Sequence, residues 1–370
     1  MSKLDKLIQE LCPDGVEYKP LGEIAEVGTG SSNGNEAVDN GAYPFFIRSQ
    51  TVKSKNEFEY NEEAIIIPGE GGIGEIFHYI SGKYALHQRV YRIHFTTRKV
   101  NTKFSYYYMQ AYFKSFIMKK AVSATVTSIR KPMIEGFSIP VPPLPVQSEI
   151  VKILDNFTEL TAELTAELTA RRKQYEYYRD KLLTASDSVE YKTLPDISFN
   201  CDRQRKPVTK MKRESGKYPY YGASGIVDYV SDYIFDGDYL LISEDGANLL
   251  ARSTPIAFSI SGKNWVNNHA HVIQFDSAEM QKYVEIYLNS IDLSKYISGG
   301  AQPKLNQDNL NKIPIPVLSF DKVKGIVAIL TKFDALCNDL TSGLPAEIEA
   351  RQKQYEYYRD KLLTFKELTA

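Results

Sequence analysis

Apolar residues recur at helical spacing along two long stretches of the chain. The first carries Ile150, Ile153, Leu154, Phe157, Leu160, Leu164, Leu168, Tyr175, Tyr178 and Leu182, a heptad-like stripe. The second carries Ile326, Ile329, Leu330, Phe333, Leu336, Leu340, Ile348, Tyr355, Tyr358 and Leu362. Gly343 and Pro345 predict an interruption of the second helix near 342–345. A short amphipathic helix over residues 3–11 places Leu4, Leu7, Ile8 and Leu11 on one face and is stopped by Pro13 and Gly15. Between these elements the pattern changes to short apolar runs bounded by Gly, Pro and Asn, which predict strands. They are GAYPFFIRSQ (41–50), AIIIPGEGG (64–72) and HQRVYRIHF (87–95). GKYPYYGASG, DYLLISEDGAN and HAHVIQF follow in the same order in the second half. Each set is followed by a helical pattern (102–120; 278–291), a polar segment (123–134; 299–310) and a Pro-rich connector, SIPVPPLPVQ or PIPVLSF. Proline fixes φ and removes a donor, so the connectors should be extended and stiff.

The two long helical patterns end on the same sentence. KQYEYYRDKLLT occupies 173–184 and again 353–364, and from Ala170 and Ala350 onward 14 of 15 positions are identical. DGVEYKPLGEI (14–24) likewise matches DSVEYKTLPDI (187–197), and DKLI (5–8) matches DKLL (180–183). The N-terminus therefore begins inside a repeat unit. Two similar units and two similar helices predict a pseudo-two-fold, circular arrangement. A helix over 148–184 would be about 55 Å long at 1.5 Å per residue. The tandem TELTAELTAELTA (158–170) makes this helix a ruler whose length changes in four-residue steps of about 6 Å and about 40° of excess rotation.

Composition narrows the class. Hydrophobic residues are 43% and charged residues 25% of 370, with net charge −1, as in a globular protein without a general basic excess. Cys12, Cys201 and Cys337 form no CxxC and predict a reducing, cytoplasmic setting without a disulfide framework. The N-terminus resembles no signal or transit peptide, and no apolar run approaches the roughly 18 residues of a membrane span.

Motif chemistry is sparse. Gly69, Gly71 and Gly74 fit GxGxxG. EIFHYISGKYALHQ follows instead of a helix, so a glycine-rich loop or hairpin is expected rather than a cofactor loop. His269 and His271 form an HxH without further ligands at metal-site spacing; their first-half equivalents are Arg89 and Tyr91. Walker A, GxSxG, HExxH, amino-methyltransferase and nuclease signatures are absent from the sequence. Polar loop residues are the candidates for DNA contact: Arg48, Gln50, Lys53, Lys55, Arg130 and Lys131 in the first unit, and Ser224, Asn248, Arg252, Lys263, Asn264, Gln302 and Lys304 in the second. Arg and Lys pair with guanine, and Asn and Gln with adenine, in the major groove. Tyr175 and Tyr178 belong to the apolar stripe. Arg171, Tyr177, Arg179 and Lys181, with Arg351, Tyr357, Arg359 and Lys361 in the other copy, fall elsewhere on the helix. Identity at these outward positions fits two copies of one partner docking on two equivalent surfaces.

The two divergent units, the repeated helices, the TAEL tandem, the proline connectors and the QYEYYRDKLL ending resemble the specificity (S) subunit of type I restriction–modification enzymes, over essentially the whole chain. The resemblance implies an α+β architecture with two similar α/β target recognition domains at opposite ends of two antiparallel coiled-coil spacer helices. The expected segments are a recognition domain over 1–145, a spacer over 146–184, a second recognition domain over 185–320 and a second spacer over 321–370. It also implies a non-catalytic chain whose partners are double-stranded DNA, two modification (methyltransferase) subunits and, through the complex, restriction/translocation subunits. S-adenosylmethionine, ATP and Mg²⁺ would belong to those partners. A fused methyltransferase or nuclease, and a scaffold without DNA contact, are the competing readings.

Overall fold

The computed structural model describes residues 2–120, 128–184 and 189–368, and all structural statements concern these. Residues 123–127 of the expected polar segment, and 185–188 at the expected start of the second recognition domain, lie outside them. The chain forms two compact units, Met1–Thr165 with Glu347–Ala370, and Ala166–Ala346. Among the described residues, no helix is long and apolar enough to cross a membrane.

In unit 1, α1 (Lys3–Leu11) starts at a capping box. The Ser2 hydroxyl accepts from the Asp5 amide and the Asp5 carboxylate accepts from the Ser2 amide. β1 (Tyr18–Pro20) and the single turn α2 (Leu21–Ile24) lead into a six-stranded sheet. Its strands are β2 (Ala25–Thr29), β3 (Tyr43–Phe46), β4 (Lys53–Lys55), β5 (Tyr60–Pro68), β6 (His78–Leu86) and β7 (Val90–Phe95), in the order β2-β7-β5-β6-β3-β4. β3 and β6 pair in parallel; the other neighbours are antiparallel. The unbroken run Ala64–Ile67 reads as a strand covered on both faces. Ile65 and Ile67 pack with α3 (Thr102–Lys120), while Ala64 and Ile66 pack with Phe46, Tyr84 and Leu86. α4 (Lys131–Glu135) and β8 (Ser138–Pro140), which pairs with β1, lead to α5 (Leu144–Leu183). The last extended residues of the connector are thus in β8, and the helix begins at Leu144, earlier than the apolar stripe suggested. A proline in the first turn costs no intrahelical bond, so Pro145 does not delay the start.

The C-terminal segment completes this unit. Leu363 is fully buried in the same cluster as Leu4 and Leu21. The Val16 amide donates to Lys366 O and the Leu368 amide to Val16 O, both at 2.9 Å. Gly15 sits against this segment with φ +119°, and a Cβ there would lie 2.6 Å from Lys366 O. A residue with a side chain would break that approach.

Unit 2 repeats the plan. β9 (Glu190–Lys192), α6 (Leu194–Ile197) and β10 (Phe199–Asn200) precede β11 (Ser215–Gly222), β12 (Gly225–Val230), β13 (Phe235–Asp236) and β14 (Tyr239–Ser243). Then come α7 (Asn248–Ala251), β15 (Ala257–Ile260), β16 (Lys263–Val266), β17 (Ala270–Gln274), α8 (Ala278–Ser290), α9 (Gln307–Leu310) and β18 (Ile315–Val317). Two four-stranded sheets result, β10-β17-β14-β15 and β12-β11-β16-β13, and β9 pairs with β18 as β1 does with β8.

α10 (Phe320–Asn338) and α11 (Leu344–Leu362) are separate helices. Asp339 makes the break by accepting from the Thr341 amide and hydroxyl and from Ser342 Oγ, an Asx-type turn. These donors hold its carboxyl well below the usual range. Gly343 lies on the open end of α10, where a Cβ would meet Ala335 O at 2.6 Å. Leu340, expected in the apolar stripe, sits in this turn and is 75% exposed; Ile329 and Leu336 are also exposed. The stripe is thus confined to positions such as Ile326 and Leu330, both buried.

Candidate nucleic-acid interface

The glycine loop after β5 is the connection of an antiparallel pair, because β6 follows it. Gly71, Gly72 and Gly74 take φ between 61° and 70°, the left-handed region open to glycine. Beside the loop, Glu70 binds Arg89 at 2.9 Å and Arg48 at 3.1 Å. The Arg89 hydrogen bond, with the charges of both guanidinium groups, holds the Glu70 carboxyl below its ordinary range. Gln50 and Lys53 are exposed on the β3–β4 side, and Arg130 and Lys131 at the start of α4. Lys131 is 3.6 Å from Glu135 one turn on.

Lys55 is otherwise engaged. Its ammonium binds Glu36 at 2.6 Å and Ser32 at 2.8 Å, and its side chain is 14% exposed. Lys55 therefore ties the 32–36 loop to β4. In unit 2 two more candidates are structural. Asn264 is fully buried on β16 and donates to Gly262 O at 2.8 Å. Arg252 closes α7 at φ +53° and donates to Ile291 O and Leu288 O at the end of α8. Polarity in a loop-like sequence window did not distinguish these inward groups from exposed ones. Asn248 is half-buried and organises its own loop through Ser253 and Thr254. Ser224, Lys263, Gln302 and Lys304 remain exposed. The Lys263 ammonium lies 4.6 Å from the Tyr233 ring centre, and Lys304 pairs with Glu244 at 3.2 Å.

The HxH pair divides. His271 is buried, with Nδ1 2.6 Å from Asp202 and Nε2 2.8 Å from Leu305 O. His269 is exposed, and its Nδ1 lies 2.9 Å from Asp245.

The two QYEYYRDKLL copies have matched surroundings. Tyr178 stacks on Phe333 in unit 2, and Tyr358 on Phe157 in unit 1. Arg171 reaches Gln174 and Glu167, as Arg351 reaches Gln354 and Glu347. Arg179 and Arg359 each bind the following Asp and lie over Tyr175 and Tyr355. Tyr177 and Tyr357 are 60% and 63% exposed. Lys181 and Lys361 are exposed beside them.

The family model described as the type I restriction modification DNA specificity domain matches twice, over residues 13–171 and 186–350. The chain belongs to this family. It is a DNA-binding specificity subunit of the type I restriction–modification class. A Haemophilus influenzae chain assigned to the same class of specificity subunits is 31% identical over 98% of both chains. The Escherichia coli EcoprrI specificity subunit is 32% identical over 92% of both. The EcoR124I/EcoR124II specificity subunit of Escherichia coli is 36% identical over 60% of each chain. In fold, the chain resembles the S subunit from M. genitalium, with TM-score 0.66 at 17% identity over 94% of this chain and 96% of that one. The α+β class, the long α5 and the twofold repeated domain are those of a specificity subunit. Among the candidates for DNA contact, the loop-end residues Arg48, Gln50, Lys53, Arg130, Lys131, Ser224, Lys263, Gln302 and Lys304 keep exposed side chains.

Proposed function

We propose that each unit reads one half of a bipartite, asymmetric DNA target, that the long helices fix the gap between the halves, and that their two matched surfaces dock two modification subunits. The observation that carries this reading is the contrast between copies. The helix ends agree at 14 of 15 positions, including exposed Tyr177/Tyr357 and Lys181/Lys361, whereas the loops between them have diverged. Surfaces that bind the same partner stay alike; surfaces that read different bases do not. In this reading the chain has no catalytic step of its own. S-adenosylmethionine, ATP and Mg²⁺ act on the partner subunits, and restriction/translocation subunits join through the complex. Methylome sequencing of cells expressing this chain with its modification partner tests it. A motif of two defined half-sites separated by a fixed undefined gap is expected; a single continuous motif would contradict it.

A further inference from the structure

The two units hold an acid–base pair at one equivalent place. In unit 1, β5 and β7 end their pairing at Pro68 and Val90. The next residue's amide, Gly69 N–H, donates to Arg89 O, and Gly69 O accepts from the Ile129 amide, each at 2.9 Å. Glu70 then bridges antiparallel to Ser128. In unit 2, β14 and β17 end at Ser243 and Ala270. Glu244 N–H donates to His269 O at 2.9 Å, and Glu244 O accepts from the Leu305 amide at 2.7 Å. Asp245 bridges antiparallel to Lys304. The third segment continues alike: buried Ile129 and Leu305 are each followed by the N-cap residue of a short helix, Arg130 for α4 and Asn306 for α9.

This register equates Glu70 with Asp245 and Arg89 with His269. The side chains pair in both units, Glu70–Arg89 at 2.9 Å and Asp245–His269 at 2.9 Å. All four are solvent-accessible, with Arg89 56% and His269 52% exposed. The residue after each acid is a glycine of positive φ, Gly71 or Gly246, and a Cβ there would meet nothing within 4 Å. The space beside each pair is open to a closely approaching ligand. Thus the backbone is held by the same bonds while the basic side chain differs in type, the pattern expected where one scaffold reads two different sequences.

We propose that Glu70–Arg89 and Asp245–His269 are equivalent base-reading pairs, Arg89 recognising a guanine in one half-site and His269 a base pair in the other. The inference rests on the two-half reading above. Arginine suits guanine because its two parallel N–H groups match O6 and N7. Glu70 holds the guanidinium through Nη1 alone, so Nε and Nη2 are the atoms that would face the guanine. The Asp245 carboxylate occupies Nδ1 of His269, which leaves Nε2 as the atom that faces a base. Glu70 and Asp245 are positioning residues.

The test uses the full chain assembled with its modification subunits and duplexes in which each target position is changed singly. Arg89→Gln is expected to reduce discrimination roughly 10- to 100-fold at one position of one half-site, with the other half-site unchanged. His269→Gln should do the same in the other half-site only. Arg89→Lys keeps the charge without the fork and should match Arg89→Gln at that position while retaining the overall rate. Variants that slow every duplex equally, or keep the parent preference, overturn the inference alone. A parent complex without a bipartite target overturns the two-half reading as well.

Discussion

Asp202→Asn should unfold unit 2 at markedly lower denaturant. Asp202 is 9% exposed. One oxygen lies 2.6 Å from His271 Nδ1, and the other accepts from the Val272 amide at 2.8 Å. Arg205 approaches to 3.3 Å and also ties Glu244 and Ala270 O. An asparagine has one acceptor for two sites that both need one, so a donor is left facing a donor, and the Arg205 guanidinium loses a counter-charge. Breaking a buried pair from one side costs about 3–5 kcal/mol, a large part of a total near 5–15 kcal/mol. With a urea dependence of about 2–3 kcal/mol/M, the midpoint should fall by roughly 1–2.5 M. Trp265 is the single tryptophan of the chain. It lies in unit 2, with Nε1 donating to Lys206 O at 2.6 Å, so its fluorescence reports that unit. The pH dependence has a definite sign. Burial raises the Asp202 carboxyl, but the His271 bond and charge, the Val272 amide and Arg205 outweigh it, leaving it below its ordinary 3.8. The stabilisation is therefore complete above pH of about 4 and is lost as pH falls through the lower, folded value. The parent midpoint should drop as pH falls below about 4 more steeply than that of Asp202→Asn. A variant midpoint within about 0.3 M urea of the parent would refute the reasoning.

Further outcomes concern unit 1 and the repeated helix. Leu154→Ala, at a fully buried position of the unit 1 core, should cost about 2–5 kcal/mol, read as an earlier circular-dichroism unfolding transition. Tyr177→Ala and Tyr357→Ala remove exposed rings from the matched surfaces proposed to dock modification subunits. Each should weaken attachment of one modification subunit by at least about tenfold, and the double variant of both, measured by calorimetric stoichiometry. Inserting TAEL after Leu168 lengthens α5 by about 6 Å where Leu164 and Leu168 are only half-buried; methylome mapping should show both half-sites retained and the gap altered.

The repeat made much of this molecule legible. Strand runs, helices α3, α5 and α8, and the equivalence of Arg89 with His269 follow from aligning one half on the other. Which polar side chains face outward is set by tertiary packing that no sequence window shows. Asn264, Arg252 and Lys55 sit in loop-like windows, yet each is consumed by a local carbonyl or carboxylate. Glu70 and Asp245 carry no signal in the sequence, because an acid becomes informative only beside the basic partner that the fold places next to it. The break in the second helix is visible as Gly343 and Pro345, but the residue that makes it, Asp339, acts through side-chain acceptors that no periodicity reveals.

The central claim, that recognition is divided between two independent halves, is tested most directly by exchanging residues 15–140 for the matching segment of another specificity subunit. The chimera is assembled with the modification partner and its methylome sequenced. One half-site should become that of the donor while the other half-site and the gap stay as in the parent. A change in both half-sites, or in neither, would contradict the account.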